Sequence, residues 1–433
     1  MNLREIASRA APWLTFGSAV SITVSIAASQ ILLGCALAAL LLSGEKLRLP
    51  RIKWALGLFL LGTLISLAFS PEPAHGLSQI KKFYVFTELL VVFSCLREGR
   101  LIRWVFLTWG GLGVVEAARG FLQFASKVRA AHAAGMNFYD FYVASRITGF
   151  TSHWNTYSAE EMFALIMLGA FLFFSPHARK RVWVWIAFCA LAALAILLSD
   201  TRGVWIATFI AGLYLVWFWN RKLVLLVPVT AVVAFFVAPK PIQQRFVSIV
   251  HPNELDSNTF RLIAWRAGLH MIENHPILGL GPDETKYHFL EYIPADVPRP
   301  LPSGFYQHLH NLYLQYAADR GIPTALVYVW MLFQIIYDMA RGLRRLPPGR
   351  SDRRFLMHGA IAIVLAAMAE AFVEVNLNDT EVLTMFLVAV GCGYLALEKD
   401  VASDSLLDDS AVFDGKVPAD LSRRHDPYLY GEP

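Results

Sequence analysis

Four short polar sites, set between long apolar stretches, carry the residue types needed to bind phosphate and move a proton. The last of them is His308-Leu309-His310-Asn311-Leu312-Tyr313-Leu314-Gln315. An imidazole at the mouth of an apolar helix titrates near neutral pH and suits general-base work. If the helix already includes His308, then His308, Asn311 and Gln315 share a stripe and His310 points away. If it starts later, His310 faces the bundle with Asn311, and the sequence leaves both readings open. The other three sites are built around arginine, whose rigid fork matches phosphate oxygens. Arg202 stands in Ser199-Asp200-Thr201-Arg202-Gly203, a bare hairpin between apolar segments. There Asp200 either caps the following helix or forms a rim ion pair with Arg202, and the guanidinium is open to approach from the headgroup layer. Arg261 and Arg266 lie in Phe260-Arg261-Leu262-Ile263-Ala264-Trp265-Arg266. Five residues apart on a helix is about 140° of arc, so the two cannot both point squarely into one pocket. One is expected to bind substrate while the other snorkels to lipid phosphate. Arg146 opens Arg146-Ile147-Thr148-Gly149-Phe150, which runs on to Glu160-Glu161 at the start of an apolar segment. Glu161 then either makes a structural ion pair with a neighbouring arginine or orients an arginine that binds substrate.

The elements that must position these sites are membrane helices. With 433 residues, 56% hydrophobic and 16% charged, the chain reads as an all-α, polytopic integral membrane protein. About twelve apolar spans are long enough to cross a bilayer: 12–28, 30–44, 54–70, 83–96, 104–124, 155–175, 182–199, 203–219, 222–238, 311–341, 355–373 and 382–397. Ala28-Ser29-Gln30 is a weak break, so the first two could be one tilted helix. No small-residue cleavage site follows a short apolar core, and the N-terminus reads as an uncleaved anchor. Lys and Arg cluster in alternate connections, at Arg4 and Arg9, 46–53, 97–103, 179–181, 221–222 and 341–354. Cytoplasmic loops carry that excess, which places both termini inside and all four polar sites outside. Residues 1–398 form the transmembrane domain, including one large outer loop, 239–310. In that loop Ser257-Asn258-Thr259 starts an amphipathic helix with an apolar stripe of Leu262, Trp265, Leu269 and Ile272, ended by Pro276. Residues 399–433, rich in Asp and Ser, are expected to be a disordered cytoplasmic tail.

Composition also sets exclusions. Cys35, Cys95, Cys189 and Cys392 sit singly in apolar spans, with neither a disulfide framework nor zinc spacing. The net charge of +5 lies in the inside loops and calls for anionic inner-membrane lipid as its partner, not nucleic acid. The outer face has no Asp-x-Asp pair to hold a divalent ion against phosphate, so the expected site has no metal and no cofactor.

Together, Arg-Ile-Thr-Gly-Phe at 146–150, Thr-Arg-Gly-Val-Trp at 201–205, Arg-Leu-Ile-Ala-Trp with Pro-Ile-Leu-Gly-Leu-Gly at 261–281, and His-Leu-His-Asn-Leu-Tyr-Leu-Gln at 308–315 resemble the bacterial O-antigen ligase family. That family belongs to the larger O-antigen ligase/polymerase superfamily. The likeness covers about residues 140–320, and the span architecture extends it along the chain. It implies a metal-independent inverting glycosyltransferase on the periplasmic face of the inner membrane. Such an enzyme moves O-antigen polysaccharide from undecaprenyl diphosphate to a sugar of the lipid A-core. His310, or else His308, is then the base; Arg202, Arg261, Arg266 and Arg146 bind diphosphate; Glu161, Asn311 and Gln315 support them.

Alternatives from the same superfamily are an O-antigen polymerase and a protein O-oligosaccharyltransferase, which differ in acceptor. A transporter of lipid-linked glycan also needs arginines facing diphosphate. It should show inverted repeats and charges at mid-membrane, whereas here the polar sites gather on one face.

Overall fold

A computed structural model describes residues 2–226, 258–301 and 304–398, with single positions 228, 232, 236, 243, 244 and 247 between them. The expected span 222–238 beyond residue 226, most of loop residues 239–257 and the tail 399–433 lie outside the described residues. Every regular element among the described residues is helical. Seven of these helices are long and apolar enough to cross a membrane.

The chain opens with a hairpin, α1 (Leu3–Ser21) and α2 (Ile26–Ser43). The break comes earlier than Ala28-Ser29-Gln30, because Ser25 caps α2 by accepting from the Ala28 amide at 3.3 Å. Ser29 lies inside α2, where its hydroxyl bonds the Ser18 carbonyl across the hairpin at 2.9 Å. There follow α3 (Lys53–Ala68), the short α4 (Pro73–Lys81), α5 (Phe83–Cys95) and the long α6 (Gly99–Ala133). Next come α7 (Phe138–Ala144), α8 (Trp154–Phe174), α9 (Val182–Leu198) and α10 (Arg202–Asn220). The remainder comprises α11 (Asn258–Asn274), α12 (Thr285–His288), α13 (Leu312–Leu343), α14 (Asp352–Glu370) and α15 (Thr380–Leu397).

Helix α14 is the centre of the bundle, packed by α8, α10, α13 and α15. Small residues let these helices approach: Gly359 lies against Met167 and Ala170 of α8, and Gly393 against Ala360. Polar connections sort to two ends. At one, the Arg48 amide bonds Ser94 at 3.0 Å, the Arg48 guanidinium pairs with Glu398, and Arg103 and Ser175 both hold Asp352. At the other, Thr156 holds Asp379, Lys82 holds the Asn378 carbonyl, and the Leu312 amide donates to the Ala371 carbonyl at 2.8 Å. The basic connections expected on one side share the first end, and the four polar sites share the second.

Helix α13 is broken where it carries Asp319-Arg320-Gly321. Gly321 has φ 80° and ψ 160°, and Pro323 follows. The interrupted ladder leaves backbone groups that the loop after α11 satisfies. Leu280 and Gly281 donate to the Ala318 and Asp319 carbonyls, and the Ile322 amide donates to the Pro276 carbonyl. A Cβ at Gly321 would collide with the Ile277 carbonyl, so the residue without a side chain sits where two backbones meet.

Helix α11 spans Asn258–Asn274 and ends before Pro276, but it buries a different stripe from the expected one. Ile263, Ala264, Ala267 and Met271 face inward, while Leu262 and Leu269 are exposed. The small side chains of Ala264, Ala267 and Gly268 permit close packing against Leu309, Leu280 and Phe289, which the larger leucines would prevent. All four cysteines are free; Cys95 and Cys392 are buried, and Cys35 is exposed on α2.

Candidate functional site

The second end of the bundle holds an open cavity of about 720 Å³, lined among others by Arg146, Arg202, Arg261, His308, His310 and Glu374. Its floor depends on where α13 begins. Asn311 is the N-cap, accepting from the Leu314 amide at 3.0 Å, so the helix starts after the histidines. The same side chain donates to the Phe372 carbonyl at 3.2 Å, tying this turn to the end of α14. Gln315 braces it from below. Its Oε1 accepts from the Leu309 amide at 2.8 Å, and its Nε2 donates to Thr285 and Asp319. Held at both sides, His310 takes a left-handed backbone, φ 50°, a conformation that costs a non-glycine residue and persists only where its surroundings fix it.

This geometry turns His310 toward Glu374. Its Nδ1 is 3.3 Å from Glu374 Oε2 and its Nε2 is 2.9 Å from the Phe305 carbonyl. Both neighbours only accept; in the tautomer that can act as a base, Nδ1–H donates to Glu374 and Nε2 carries no proton. For Nε2 to take a proton, a donor hydroxyl must first replace the Phe305 carbonyl. The arrangement of a base with a carboxylate on its far nitrogen is the orienting pair that nucleophile activation uses.

His308 sits against the His310 ring, with centroids 4.0 Å apart, and its Nδ1 accepts from the His310 amide at 3.2 Å. Burial, then the adjacent His310 and Arg261 charges, push its pKa down to about 3. It is therefore neutral at pH 7 and a poor proton acceptor. The Glu374 pKa is also lowered, but against the effect of its burial. Burial alone would raise its pKa, but Arg261 and the two histidines outweigh that and hold it at about 2.

Helix α11 supplies Arg261, which pairs with Glu374 through its Nη2. Phe260 packs edge-on to His310 at 5.0 Å, and Trp265 donates to the His310 carbonyl at 3.3 Å. Arg266, on the opposite side of α11, lies outside the cavity and is exposed, holding Asp296 at 2.7 and 3.0 Å. Arg202 is buried at the first position of α10. The cap there is Thr201, not Asp200. Asp200 has φ 57°, and its carboxylate is 3.8 Å from Arg146 Nε. Arg146 also lies over the Trp154 ring at 5.1 Å. Glu161 stays apart from this group. It is buried in α8, faces Gly113 of α6, and has no hydrogen-bond or ion-pair partner among the described residues.

Glu374 is the residue that motif reasoning misses. A signal is present in the sequence: Glu370, Glu374, Asp379 and Glu381 fall within twelve residues at the junction of two apolar helices, without a basic residue among them.

His308, His310 and Glu374 bring one ligand atom each to within 4.8 Å of one another, a spacing that could hold a metal ion. The donors are already committed. One Glu374 oxygen takes Arg261 and the other His310, while His308 Nδ1 takes the His310 amide. A divalent ion would sit against a guanidinium on the same carboxylate, so the set fits a metal poorly.

Residues 187–329 match the family model described as O-antigen ligase. No curated protein matches the chain.

Proposed function

Because residues 187–329 match the family model described as O-antigen ligase, we propose that the chain is an O-antigen ligase of the bacterial inner membrane. In this reading it transfers O-antigen polysaccharide from undecaprenyl diphosphate to a sugar of the lipid A-core on the periplasmic face. The single observation that carries the reading is the Glu374–His310 pair opening into a cavity with Arg146, Arg202 and Arg261. The acceptor hydroxyl displaces the Phe305 carbonyl and gives its proton to His310 Nε2. The acceptor oxygen then attacks the anomeric carbon from the face opposite the diphosphate. The bond from that carbon to the phosphate oxygen breaks, undecaprenyl diphosphate leaves, and the configuration inverts. Arginines meet the charge that develops on the leaving group, the largest single demand on such a site. Glu374 stabilises the imidazolium and keeps Arg261 in place.

The orientation belongs to the same proposal. Basic connections gathered at one end favour that end as cytoplasmic, with twelve spans, both termini inside and loop 239–310 outside. Residues 1–398 then act as the transmembrane transferase and 399–433 as a cytoplasmic tail.

The test is transfer by purified protein from a lipid-linked glycan to lipid A-core in excess chelator. Transfer with inversion and most activity retained is expected. Activity lost in chelator and restored by magnesium or manganese would overturn the arginine mechanism. Transfer only onto a second glycan chain would make the protein a polymerase.

A further inference from the structure

The end of the bundle that gathers the basic connections has an open cavity of its own, of about 670 Å³. Two walls carry its charge. On one, Arg51 and Lys53 stand where the connection after α2 enters α3; on the other, Arg341 and Arg345 stand at the end of α13. Arg48 and Arg353 also line it but are engaged already. Arg48 pairs with Glu398, and Arg353 donates to the Ala396 carbonyl at 2.7 Å.

The buried carboxylate among the lining groups is committed too. Asp338 is 4% exposed, and its Oδ2 accepts from Tyr394 at 2.9 Å and from Gln334 at 3.1 Å. Arg51 stays 3.8 Å from its Oδ1, beyond hydrogen-bond reach. Lys53 lies over the Trp54 ring at 5.2 Å. Arg341 and Arg345 have no hydrogen bond or ion pair among the described residues. Four cations thus share one concavity whose two carboxylates serve other groups. Like charges lining a low-dielectric cleft focus their field on it and raise the local concentration of anions.

The rim shows which kind of anion fits. Leu47 and Leu49 flank Arg48 there and are 53% and 43% exposed. They follow the exposed Leu41 and Leu42 at the end of α2. Leucines left in water cost free energy that contact with hydrocarbon recovers. A soluble anion makes no use of them, whereas a phospholipid sets its acyl chains against them as its head enters the cavity.

We propose that this cavity receives the head group of an anionic phospholipid with two phosphates, one held by Arg51 and Lys53 and the other by Arg341 and Arg345. Basic pockets between membrane helices suit such heads, and each guanidinium fork matches two oxygens of a phosphate. Cations paired on two walls match two phosphates better than one. The site lies at the opposite end of the bundle from His310 and does not depend on the reaction proposed above.

The test uses the purified full-length protein, stripped of lipid in detergent, with diphosphatidylglycerol, phosphatidylglycerol and phosphatidylethanolamine at equal concentration. Native mass spectrometry reads which lipid stays bound, with no glycan and no acceptor present. Diphosphatidylglycerol is expected to bind about tenfold more tightly than phosphatidylglycerol, and phosphatidylethanolamine to be lost. Replacing Arg341→Gln together with Arg345→Gln should weaken binding about tenfold or more, the usual loss for charged hydrogen bonds. Replacing Lys180→Gln together with Arg181→Gln, in a basic connection outside the cavity, should leave it unchanged. All four side chains are exposed, so the packing survives either pair of changes. Equal loss in the two double variants would mean diffuse attraction to this end and overturn the site. Equal binding of diphosphatidylglycerol and phosphatidylglycerol would overturn the two-phosphate assignment. Displacement of bound lipid by inorganic pyrophosphate at equal concentration would show a soluble anion as the ligand and overturn the lipid assignment.

Discussion

In the proposed reaction His310 and Glu374 divide the work of one base between two side chains, and their replacement separates chemistry from binding. His310→Ala is expected to abolish transfer while leaving donor binding largely intact, because a neutral base acts on the chemical step. Glu374→Gln keeps the shape but removes the charge that holds Arg261 and orients the ring. It should lower kcat by about 10²-fold or more and weaken donor binding as well. Retained kcat in Glu374→Gln would show that the carboxylate is only structural. Arg261→Lys should not restore binding, since a point charge lacks the guanidinium's two-pronged geometry. The neighbouring His308 supplies a different test, through pH. Its folded-state pKa of about 3 lies below the ordinary histidine value of 6.5. The unfolded chain therefore binds a proton below pH 6.5 that the folded chain refuses, and stability falls as pH drops from 6.5 toward 3. Between pH 7 and pH 5 the loss is ~1–2 kcal/mol, and His308→Gln should flatten that slope in thermal unfolding. The depressed Glu374 pKa acts in a separate window, losing its contribution only below the ordinary carboxylate value of 4.5. An unchanged slope in His308→Gln would mean that the ring is solvated in the folded protein. Of these residues the histidines and arginines are legible in sequence, because their types and local spacing announce phosphate and proton chemistry. Glu374 is not, since its role comes from a turn 64 residues beyond His310 that only the packing of α14 on α13 brings near.

Among the elements, the broken helix α13 and the loop docked on it set the site's geometry. The break frees the Ala318 and Asp319 carbonyls for Leu280 and Gly281, and Gln315 links the same region to the histidine turn. Gly321 adopts φ 80° and ψ 160°, a region open essentially to glycine alone. Gly321→Ala should cost about 3 kcal/mol or more, from strain and from collision with the Ile277 carbonyl. It is expected to lower Tm and to reduce transfer even in the fraction that folds, because Arg320 and the histidine turn shift together. A variant with wild-type Tm would show that the break relaxes freely. The sequence carries this break as Gly321-Ile322-Pro323 inside an apolar run, and the paired glycines at 279 and 281 mark its partner. Sequence periodicity finds α11 but mistakes its buried face. Hydrophobicity favours Leu262 and Leu269, whereas close approach to the loop favours Ala264, Ala267 and Gly268.

At the scale of the whole molecule, the two ends of the bundle differ in kind, and that difference supports the assignment of sides. The alternating basic connections are legible without any structure, because each apolar run is long and each connection short. The central position of α14 is not, since α8, α14 and α15 look like any other apolar spans and only their packing partners reveal that they are enclosed. One end gathers Arg48, Arg103, Arg353 and Arg354 around backbone carbonyls and the carboxylates Asp352 and Glu398. Those contacts take up part of the charge and leave the rest for anionic headgroups. The other end places Arg146, Arg202 and Arg261 in a cavity, where the proposed reaction puts lipid-linked phosphate. If the first end is cytoplasmic, a cysteine at exposed Pro348 should resist an impermeant thiol reagent added to spheroplasts. A cysteine at exposed Glu273, on α11, should react under the same conditions. Both are read against the parent chain, whose own four cysteines set the background. Reaction at Pro348→Cys with protection at Glu273→Cys would invert the molecule. It would bring the arginine cavity to the cytoplasm, where periplasmic glycan transfer could not take place.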